Sequence, residues 1–246
     1  MKKIAIIFAG GTGQRMGAEI PKQFLKVSGK EIILHTLELF ENHKLVDEIY
    51  VVCIESWIPY LRELIGKFGV DKVMDIVPGG KTGQDSIFIG LTEVKKRYDD
   101  AIVLIHDGVR PLVTEETITK CIRSAEEFGT AITATRCFET PLISSDGQTV
   151  GDMPDRRMVY TAQAPQCFSL DLLYRLHVKE RQTNPDYEGI VDSCGLMFKH
   201  GVYCHLIEGN RGNIKVTSPE DFCTLIGNLN AKDYAEFLSL GNETKK

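Results

Sequence analysis

Short apolar runs alternate with longer stretches of helical periodicity along the first half of the chain. The apolar runs predict strands at Ile4 to Phe8, Glu48 to Ile54, Lys72 to Val77, Ala101 to Ile105 and Ala131 to Thr135. Helical patterns lie near residues 31–42, 57–67, 85–98 and 114–127. This repeated order of strand and helix predicts right-handed crossovers and an α/β fold. We expect a three-layer, mostly parallel, doubly wound (Rossmann-like) sheet.

The alternation stops after Thr135. The segment from Cys137 to Phe168 contains the turn sequence Ser-Ser-Asp-Gly between short β-compatible runs, which predicts a hairpin. Because this segment has few large apolar residues, we expect a β-arm over about 137–160 that projects and packs against a second subunit. The later pattern predicts helices from about Ser169, across 190–200 and from Pro219 to about Leu229 or beyond, with a strand near 202–207.

Composition limits the class of protein. With 246 residues, 43% of them hydrophobic, the chain is predicted to form a single globular domain over residues 1–246. A formal net charge of -5 argues against nucleic-acid and acidic-membrane partners, which require a basic surface. Seven cysteines without a CxxC pair, and no apolar run long enough for a signal or membrane span, predict a reduced cytoplasmic protein.

The first predicted strand runs into a glycine-rich turn, AGGTGQRMG at residues 9–17. A dinucleotide fingerprint fails because the sixth position counted from Gly11 is Met16, and no Gly-Lys-Ser/Thr triplet completes a phosphate-binding loop of the Walker type. A turn of exposed backbone N–H groups near Arg15 and Lys22 remains, and it suits a triphosphate. The alternative is a glycine-rich loop that only turns the chain.

Together with PKQF at 21–24, this stretch resembles the signature of the nucleotidylyltransferases that make CDP-linked polyols. These are the methylerythritol-phosphate cytidylyltransferases of isoprenoid biosynthesis and the related ribitol-phosphate cytidylyltransferases of wall-polymer synthesis. Four further motifs follow in the same order: GGKTGQDSI at 79–87, HDGVRP at 106–111, DRRMVYTAQAPQCF at 155–168 and EGNRGNIKVTSPEDF at 208–222. The resemblance spans nearly the whole chain, and it implies transfer of CMP from CTP to a polyol phosphate, with release of pyrophosphate.

The resemblance also implies a site. Three cations would stabilise the charge that grows on the α-phosphate of CTP: Arg15, Lys22 and Lys215. The nucleotide would be held by Ala9, Gly10, Gly11, Thr12, Gly13, Gly80, Asp85 and Ser86. The acceptor would be bound by Asp107, Arg110, Thr140, Arg156 and Asp192. Thr140 and Arg156 would come from the arm of a partner in a homodimer, and Asp107 is also a candidate ligand for the Mg²⁺ that accompanies CTP.

Two positions depart from the family pattern. Gly83 stands where the family usually has arginine, and the nearby ammonium of Lys81 does not replace a planar guanidinium. Val191 stands where threonine is common, next to Asp192. The valine of HDGVRP and Gln163 are closer to the pentitol-phosphate branch. Ribitol 5-phosphate is therefore slightly favoured as acceptor, and 2-C-methyl-D-erythritol 4-phosphate remains open.

Two other functions remain as alternatives. A nicotinamide-dependent oxidoreductase could use a similar α/β scaffold, but the glycine spacing speaks against it. A non-catalytic nucleotide-binding homodimer is favoured only by the departures at Gly83 and Val191. Dependence of pyrophosphate release on CTP distinguishes these alternatives from a cytidylyltransferase.

Overall fold

The computed structural model of the chain describes residues 1–11 and 20–243, with side chains described up to residue 231. The strands in this part are β1 (Lys2–Ala9), β2 (Lys26–Val27), β3 (Lys30–Glu31), β4 (Glu48–Cys53), β5 (Val73–Pro78), β6 (Ala101–Asp107), β7 (Thr130–Arg136), β8 (Tyr160–Ser169) and β9 (Leu206–Glu208). The helices are α1 (Ile32–Glu41), α2 (Ile58–Phe68), α3 (Gly83–Lys95), α4 (Glu115–Phe128), α5 (Leu170–Thr183), α6 (Ser193–Lys199) and α7 (Pro219–Glu243).

Seven strands form the central sheet, in the order β5-β4-β1-β6-β8-β7-β9, while β2 and β3 pair as a separate antiparallel ribbon. The pairs β5-β4, β4-β1, β1-β6 and β7-β9 are parallel. Strand β8 is antiparallel to both of its neighbours, β6 and β7. The predicted doubly wound, mostly parallel α/β fold is confirmed.

The elements of the first half lie within three residues of their predicted bounds. Local chemistry accounts for the starts of α3 and α4. The side chain of Thr114 accepts a hydrogen bond from the backbone N–H of Thr117 at 3.2 Å and caps α4. Thr82 caps α3 in the same way, accepting from the N–H of Asp85 at 3.0 Å. Both caps place a helix N-terminus directly after a loop at one edge of the sheet.

The hydrophobic pattern does not predict β8. Its first three residues are exposed, and Gln163, Pro165 and Gln166 interrupt the apolar run. Proline within a run argues against a central strand, because it has no N–H to donate to a neighbouring strand. Only pairing with β6 and β7 reveals the strand. The predicted strand near 202–207 is also shorter than expected and covers Leu206–Glu208.

Apolar side chains cover both faces of the sheet. On β1, Ala5, Ile7 and Ala9 point to the face packed by α1, α2 and α4, while Ile4 and Ile6 point to the face packed by α3, α5 and α6. Two buried clusters between the sheet and its helices produce the three predicted layers. None of the helices in the described residues is long and apolar enough to cross a membrane.

The segment between β7 and β8 forms the predicted turn. The carboxylate of Asp146 accepts from the backbone N–H groups of Gln148 and Thr149, at 2.9 and 2.8 Å. One antiparallel bridge joins Ile143 to Asp152 across the turn. The segment leaves large apolar side chains exposed, each more than half accessible: Phe138, Leu142, Ile143, Val150, Met153 and Met158.

A glycine lies at the edge of the sheet where ligands bind in folds of this kind. The N–H of Gly108, directly after β6, donates to the carbonyl oxygen of Phe8 on β1 at 2.8 Å. A Cβ at position 108 would lie 2.8 Å from that same oxygen, which is closer than a carbon atom can approach without movement. The position therefore requires glycine, and Asp107 immediately before it is placed by this contact.

We therefore expect Gly108→Ala to lower both stability and activity. The added methyl group must push the ends of β1 and β6 apart, so the free energy of unfolding should fall by about 1–3 kcal/mol, as for overpacked sites. Gly66→Ala is the matched control, because a Cβ at this exposed position in α2 meets nothing within 4 Å. That variant should be neutral or more stable by up to about 1 kcal/mol. Urea unfolding of both variants measures the difference, and equal stabilities would contradict the steric argument.

Candidate active site

Two adjoining pockets open at the carboxyl ends of β1 and β6. The glycine pocket, about 440 Å³ in volume, lies between Ala9–Gly11 after β1 and the loop 80–83 before α3. The glutamine pocket, about 300 Å³, extends toward β8 and the start of α6. The residues that line both pockets are Phe8, Gly83, Asp107 and Lys215. Groups bound in the two pockets would therefore meet at Asp107 and Lys215.

The glycine pocket has a wall of backbone fixed by Ser86. The Ser86 hydroxyl accepts from the N–H of Gly80 at 3.1 Å and donates to the carbonyl of Thr82 at 3.0 Å. Gly80 must be glycine, since a Cβ there would lie 2.4 Å from the Cβ of Asp85. The loop leads into the N-terminus of α3, whose N–H groups and dipole favour an anion.

Lys22 lines the glycine pocket from the short 3-10 turn Lys22–Phe24, which precedes β2. The neighbouring Gln23 is buried, and its amide donates to the carbonyl oxygen of Ala9 at 2.6 Å. This bond ties the Lys22 turn to the end of β1. A Cβ at Gly11 would lie 3.6 Å from the Cε of Lys22, so the lysine stem runs close beside the glycine turn.

A carboxylate between two cations stands where the pockets join. One oxygen of Asp107 is 2.7 Å from Nζ of Lys215, and the other accepts from Nε of Arg110 at 2.8 Å. Burial raises the pKa of Asp107, but Lys215 and Arg110 together outweigh burial and hold it at about 2. Asp107 is therefore ionised at neutral pH and keeps both cations in place.

His106 supports Arg110 and carries no charge. Its Nε2–H donates to the carbonyl oxygen of Arg110 at 3.1 Å, and its ring packs against Phe40 with 4.9 Å between centroids. Burial lowers the pKa of His106 to about 4, so the ring is neutral at pH 7. This arrangement assigns His106 a positioning role behind the pocket.

Asp192 is fixed in the wall of the glutamine pocket. One carboxylate oxygen accepts from the N–H of Gly195 at 2.8 Å and caps α6, and the other accepts from the amide of Gln166 at 2.8 Å. The Gln166 oxygen in turn accepts from the N–H of Cys194 at 3.1 Å. Gln166 therefore orients Asp192, and its only sequence signal is a polar residue within the APQCF run.

Asn213 performs a similar role for Lys215. It is fully buried, and its amide donates to the carbonyl oxygen of Ala164 at 2.7 Å. The backbone oxygen of Asn213 accepts from Arg110 at 2.8 Å. The segment that carries Lys215 is thereby attached both to β8 and to the loop after β6. The asparagine is present in the NIKVT motif, but its role depends on contacts that the motif does not reveal.

The structure brings most of the predicted site residues together. Those that line the glycine pocket, the glutamine pocket or both are Ala9, Gly10, Gly11, Lys22, Gly80, Ser86, Asp107, Arg110, Asp192 and Lys215. Three further predicted residues, Thr12, Gly13 and Arg15, lie outside the described residues. Of the two departures from the family pattern, Gly83 lines both pockets, and Val191 is 94% exposed at the edge of the glutamine pocket.

Asp85 is not among the described residues that line the two pockets. Its carboxylate pairs with Arg181 of α5 and accepts from the hydroxyl of Thr82 at 3.2 Å. It lines a separate cavity together with Phe88 and Arg181, and the Arg181 guanidinium lies 4.9 Å from the centre of the Phe88 ring. The first turn of α3 directs this side chain toward α5, where it forms a helix-to-helix ion pair, and the role of Asp85 as a nucleotide ligand stays a prediction.

Thr140 and Arg156 lie on the arm, and neither lines the two pockets of its own chain in the part that the structure describes. Both residues are exposed. The guanidinium of Arg156 donates to the carbonyl oxygen of Phe138 at 3.3 Å, which ties the two sides of the arm together. Their contact with the acceptor in the site of a partner chain stays a prediction.

The family described as IspD, 2-C-methyl-D-erythritol 4-phosphate cytidylyltransferase, matches residues 3–226 of this chain. A ribitol-5-phosphate cytidylyltransferase of Vibrio parahaemolyticus serotype O3:K6 is 46% identical over 222 residues, covering 89% of this chain and 92% of the relative. A 2-C-methyl-D-erythritol 4-phosphate cytidylyltransferase of Clostridium botulinum (strain Loch Maree / Type A3) is 39% identical over 220 residues, covering 89% of this chain and 94% of the relative.

Solved structures agree with this relationship. The 4-diphosphocytidyl-2C-methyl-D-erythritol synthase of Anaerococcus prevotii DSM 20548 superposes with a TM-score of 0.81 at 29% identity, covering 93% of this chain and 96% of that chain. The family match over residues 3–226 includes the described residues of both pockets and Lys215. The chain therefore belongs to the 2-C-methyl-D-erythritol 4-phosphate cytidylyltransferase family of nucleotidyltransferases, as its five ordered motifs predict.

Proposed function

We propose that this cytidylyltransferase transfers CMP from CTP to ribitol 5-phosphate, with 2-C-methyl-D-erythritol 4-phosphate as the second candidate acceptor. The observation that carries the proposal is the junction of the two pockets at Asp107 and Lys215. A triphosphate in the glycine pocket and an acceptor phosphate in the glutamine pocket would meet there. The products are a CDP-polyol and pyrophosphate.

The reaction needs positioned cations more than a general base. An acceptor phosphate oxygen, already ionised at pH 7, attacks the α-phosphorus of CTP in line. The bond from that phosphorus to the bridging oxygen of the β-phosphate breaks, and pyrophosphate leaves with the electron pair. Negative charge grows on the α-phosphate oxygens, so fixed positive groups lower the barrier.

The described cations suit different parts of this reaction. Lys22 in the glycine pocket would contact the triphosphate, and Arg110 in the glutamine pocket would bind the acceptor phosphate. Lys215 lines both pockets, so its ammonium can contact the α-phosphate during transfer. Arg15 is proposed for the same charge stabilisation from its place in the glycine-rich motif.

We propose Mg²⁺ as the divalent ion of the reaction. Asp107 is the carboxylate that lines both pockets, and its pKa of about 2 keeps it ionised. Mg²⁺ commonly takes one or two protein carboxylates and otherwise uses substrate phosphates and water. Asp107 and the CTP phosphates would hold the ion, which would neutralise part of the triphosphate charge.

The choice of acceptor rests on similarity and on the pocket. The relative named for ribitol 5-phosphate is 46% identical to this chain, and the one named for 2-C-methyl-D-erythritol 4-phosphate is 39% identical. The glutamine pocket also presents several polar side chains from different elements, including Gln84, Gln163 and Ser193. Such groups suit a polyol with several free hydroxyls, and ribitol 5-phosphate has one more than 2-C-methyl-D-erythritol 4-phosphate.

Pyrophosphate release should require CTP, a divalent ion and a polyol phosphate together. We expect turnover with ribitol 5-phosphate to exceed turnover with 2-C-methyl-D-erythritol 4-phosphate, and EDTA to abolish it until Mg²⁺ is restored. A coupled pyrophosphate assay over a panel of polyol phosphates measures all three requirements. Nucleotide binding without turnover on any acceptor would favour the non-catalytic homodimer, and full turnover in EDTA would refute the role of the metal.

We further propose that the chain is one nucleotidylyltransferase domain over residues 1–246 that works in the cytoplasm as a homodimer. The family match over residues 3–226 supports the single domain. The exposed apolar side chains of the arm, over about 137–160, support burial against a second copy. Each site would then take Thr140 and Arg156 from its partner, since these residues do not line the pockets of their own chain.

Lys215→Ala should lower kcat by on the order of 100-fold or more, with a smaller change in the KM for CTP, because the contact strengthens in the transition state. The matched control is Lys120→Ala on the surface of α4, where the lysine side chain is 52% exposed and pairs with Glu116. Steady-state kinetics of both variants provide the comparison. A Lys215→Ala enzyme with near-normal kcat would remove this lysine from the mechanism.

Chains with complementary lesions should restore activity if the arm serves the partner's site. Arg156→Ala and Lys215→Ala chains, co-expressed in equal amounts, form mixed dimers in which one site carries neither lesion. Statistical pairing then restores activity to about a quarter of wild type.

The control mixes wild-type chains with chains that carry both lesions. Sites shared between chains again leave about a quarter of wild-type activity, whereas sites contained in one chain leave about half. Inactive mixtures of the single variants, with half activity in the control, would refute the shared site.

A further inference from the structure

Gln84 is a buried amide without a hydrogen-bond partner. It lies in the first turn of α3, is 3% exposed and lines the glutamine pocket. Neither its side-chain nitrogen nor its oxygen has a partner among the residues that the structure describes. The pocket walls beside it include the apolar residues Phe8, Ile87 and Ile105, which offer no side-chain donor or acceptor.

Such an arrangement costs stability. Buried polar groups in folded proteins are almost always paired, because an unpaired amide loses its hydrogen bonds to water without replacement. A leucine of similar size would avoid this loss among these apolar neighbours. Retention of an amide therefore indicates a partner that arrives from the pocket.

A second unpaired group lines the same pocket from another helix. The hydroxyl oxygen of Ser193 has no partner within the described part of the chain, although the residue is only 1% exposed. By contrast, the neighbouring Gln166 and Asp192 are paired with each other and with backbone N–H groups. The side-chain groups of the pocket that have no hydrogen-bond partner in the described part of the chain thus include one amide and one hydroxyl. These two groups lie on different helices.

We propose that Gln84 and Ser193 bind hydroxyl groups of the acceptor and that Gln84 determines which polyol is accepted. This inference rests on the proposed cytidylyltransferase function. Arg110 and Lys215 take the phosphate at one part of the pocket, and the two unpaired groups take hydroxyls of the carbon chain. An amide both donates and accepts, and so does each polyol hydroxyl, while Phe8, Ile87 and Ile105 face the C–H groups.

The position of Gln84 separates acceptor binding from CTP binding. Gln84 lines the glutamine pocket but not the glycine pocket, whereas Gly83 immediately before it lines both. Loss of the amide should therefore change the kinetics of the acceptor and leave those of CTP unchanged. A site that pairs with a substrate hydroxyl also rejects analogues that lack it, because its own groups then stay unpaired.

The decisive variant is Gln84→Leu. We expect kcat/KM for ribitol 5-phosphate to fall by about 10- to 100-fold, the size of one lost substrate hydrogen bond, while the KM for CTP stays within about twofold. Tm should stay the same or rise, since the substitution removes an unpaired amide from the interior. Lower activity together with equal or higher stability is a combination that a merely structural glutamine would not produce.

The ratio of kcat/KM between acceptors provides a second readout, which does not depend on the absolute rate of the variant. The assay uses 5-phosphates of ribitol, xylitol and arabinitol and a ribitol 5-phosphate that lacks one hydroxyl. Wild-type enzyme should discriminate among them, and Gln84→Leu should reduce that discrimination by about tenfold for the hydroxyl that the amide binds. Gln182→Leu is the matched control, because Gln182 is exposed on α5, and it should leave rates, selectivity and Tm unchanged.

The inference is overturned if Gln84→Leu keeps wild-type kcat/KM, loses it equally for every acceptor, or raises the KM for CTP. Should the leucine chain fail to fold, Gln84→Met repeats the test of the amide, and Ser193→Ala tests the second contact, with reduced kcat/KM for the acceptor expected and an unchanged value contradicting the proposal. Failure of the proposed function is distinguishable, because wild-type enzyme would then release no pyrophosphate with any polyol phosphate in the panel.

Discussion

The active site depends on one carboxylate held between two cations. Lys215 and Arg110 would repel each other at the junction of the pockets, and Asp107 between them makes their approach favourable. The pKa of about 2 means that this arrangement stays charged at neutral pH. Positive groups that are fixed before the substrate arrives need little reorganisation during the reaction. Such fixed charges are the main electrostatic contribution that an enzyme can make to phosphoryl transfer.

Buried neutral side chains hold this charged group in position. His106 donates a hydrogen bond to the backbone oxygen of Arg110. Asn213 donates from its amide to the backbone of β8, and its own backbone oxygen accepts from Arg110. Gln166 donates to Asp192 and orients it in the glutamine pocket. Each of these residues satisfies a polar group that would otherwise be buried alone. The cations therefore sit on loops whose geometry is determined by the sheet, although the loops are far apart along the chain.

The structure also contains features that reduce stability. Gln84 and Ser193 are buried without partners among the described residues, and the arm presents large apolar side chains to solvent. Folding alone does not favour either arrangement. Both are explained when binding partners supply the missing contacts: an acceptor for the pocket and a second chain for the arm.

The sequence by itself determined the strands and helices of the first half, the turn around Asp146 and the motifs whose described residues line the two pockets. These features follow from local properties, namely hydrophobic period, helix caps, turn residues and ordered motifs. Only the tertiary structure inserted β8 between β6 and β7, turned Asp85 toward Arg181, brought Gln84 and Gln166 to the glutamine pocket, and joined Asn213 to β8 and Arg110. The reason is physical: a local pattern reports which residues are buried, whereas the partner of a buried polar side chain is set by packing between elements distant in the chain.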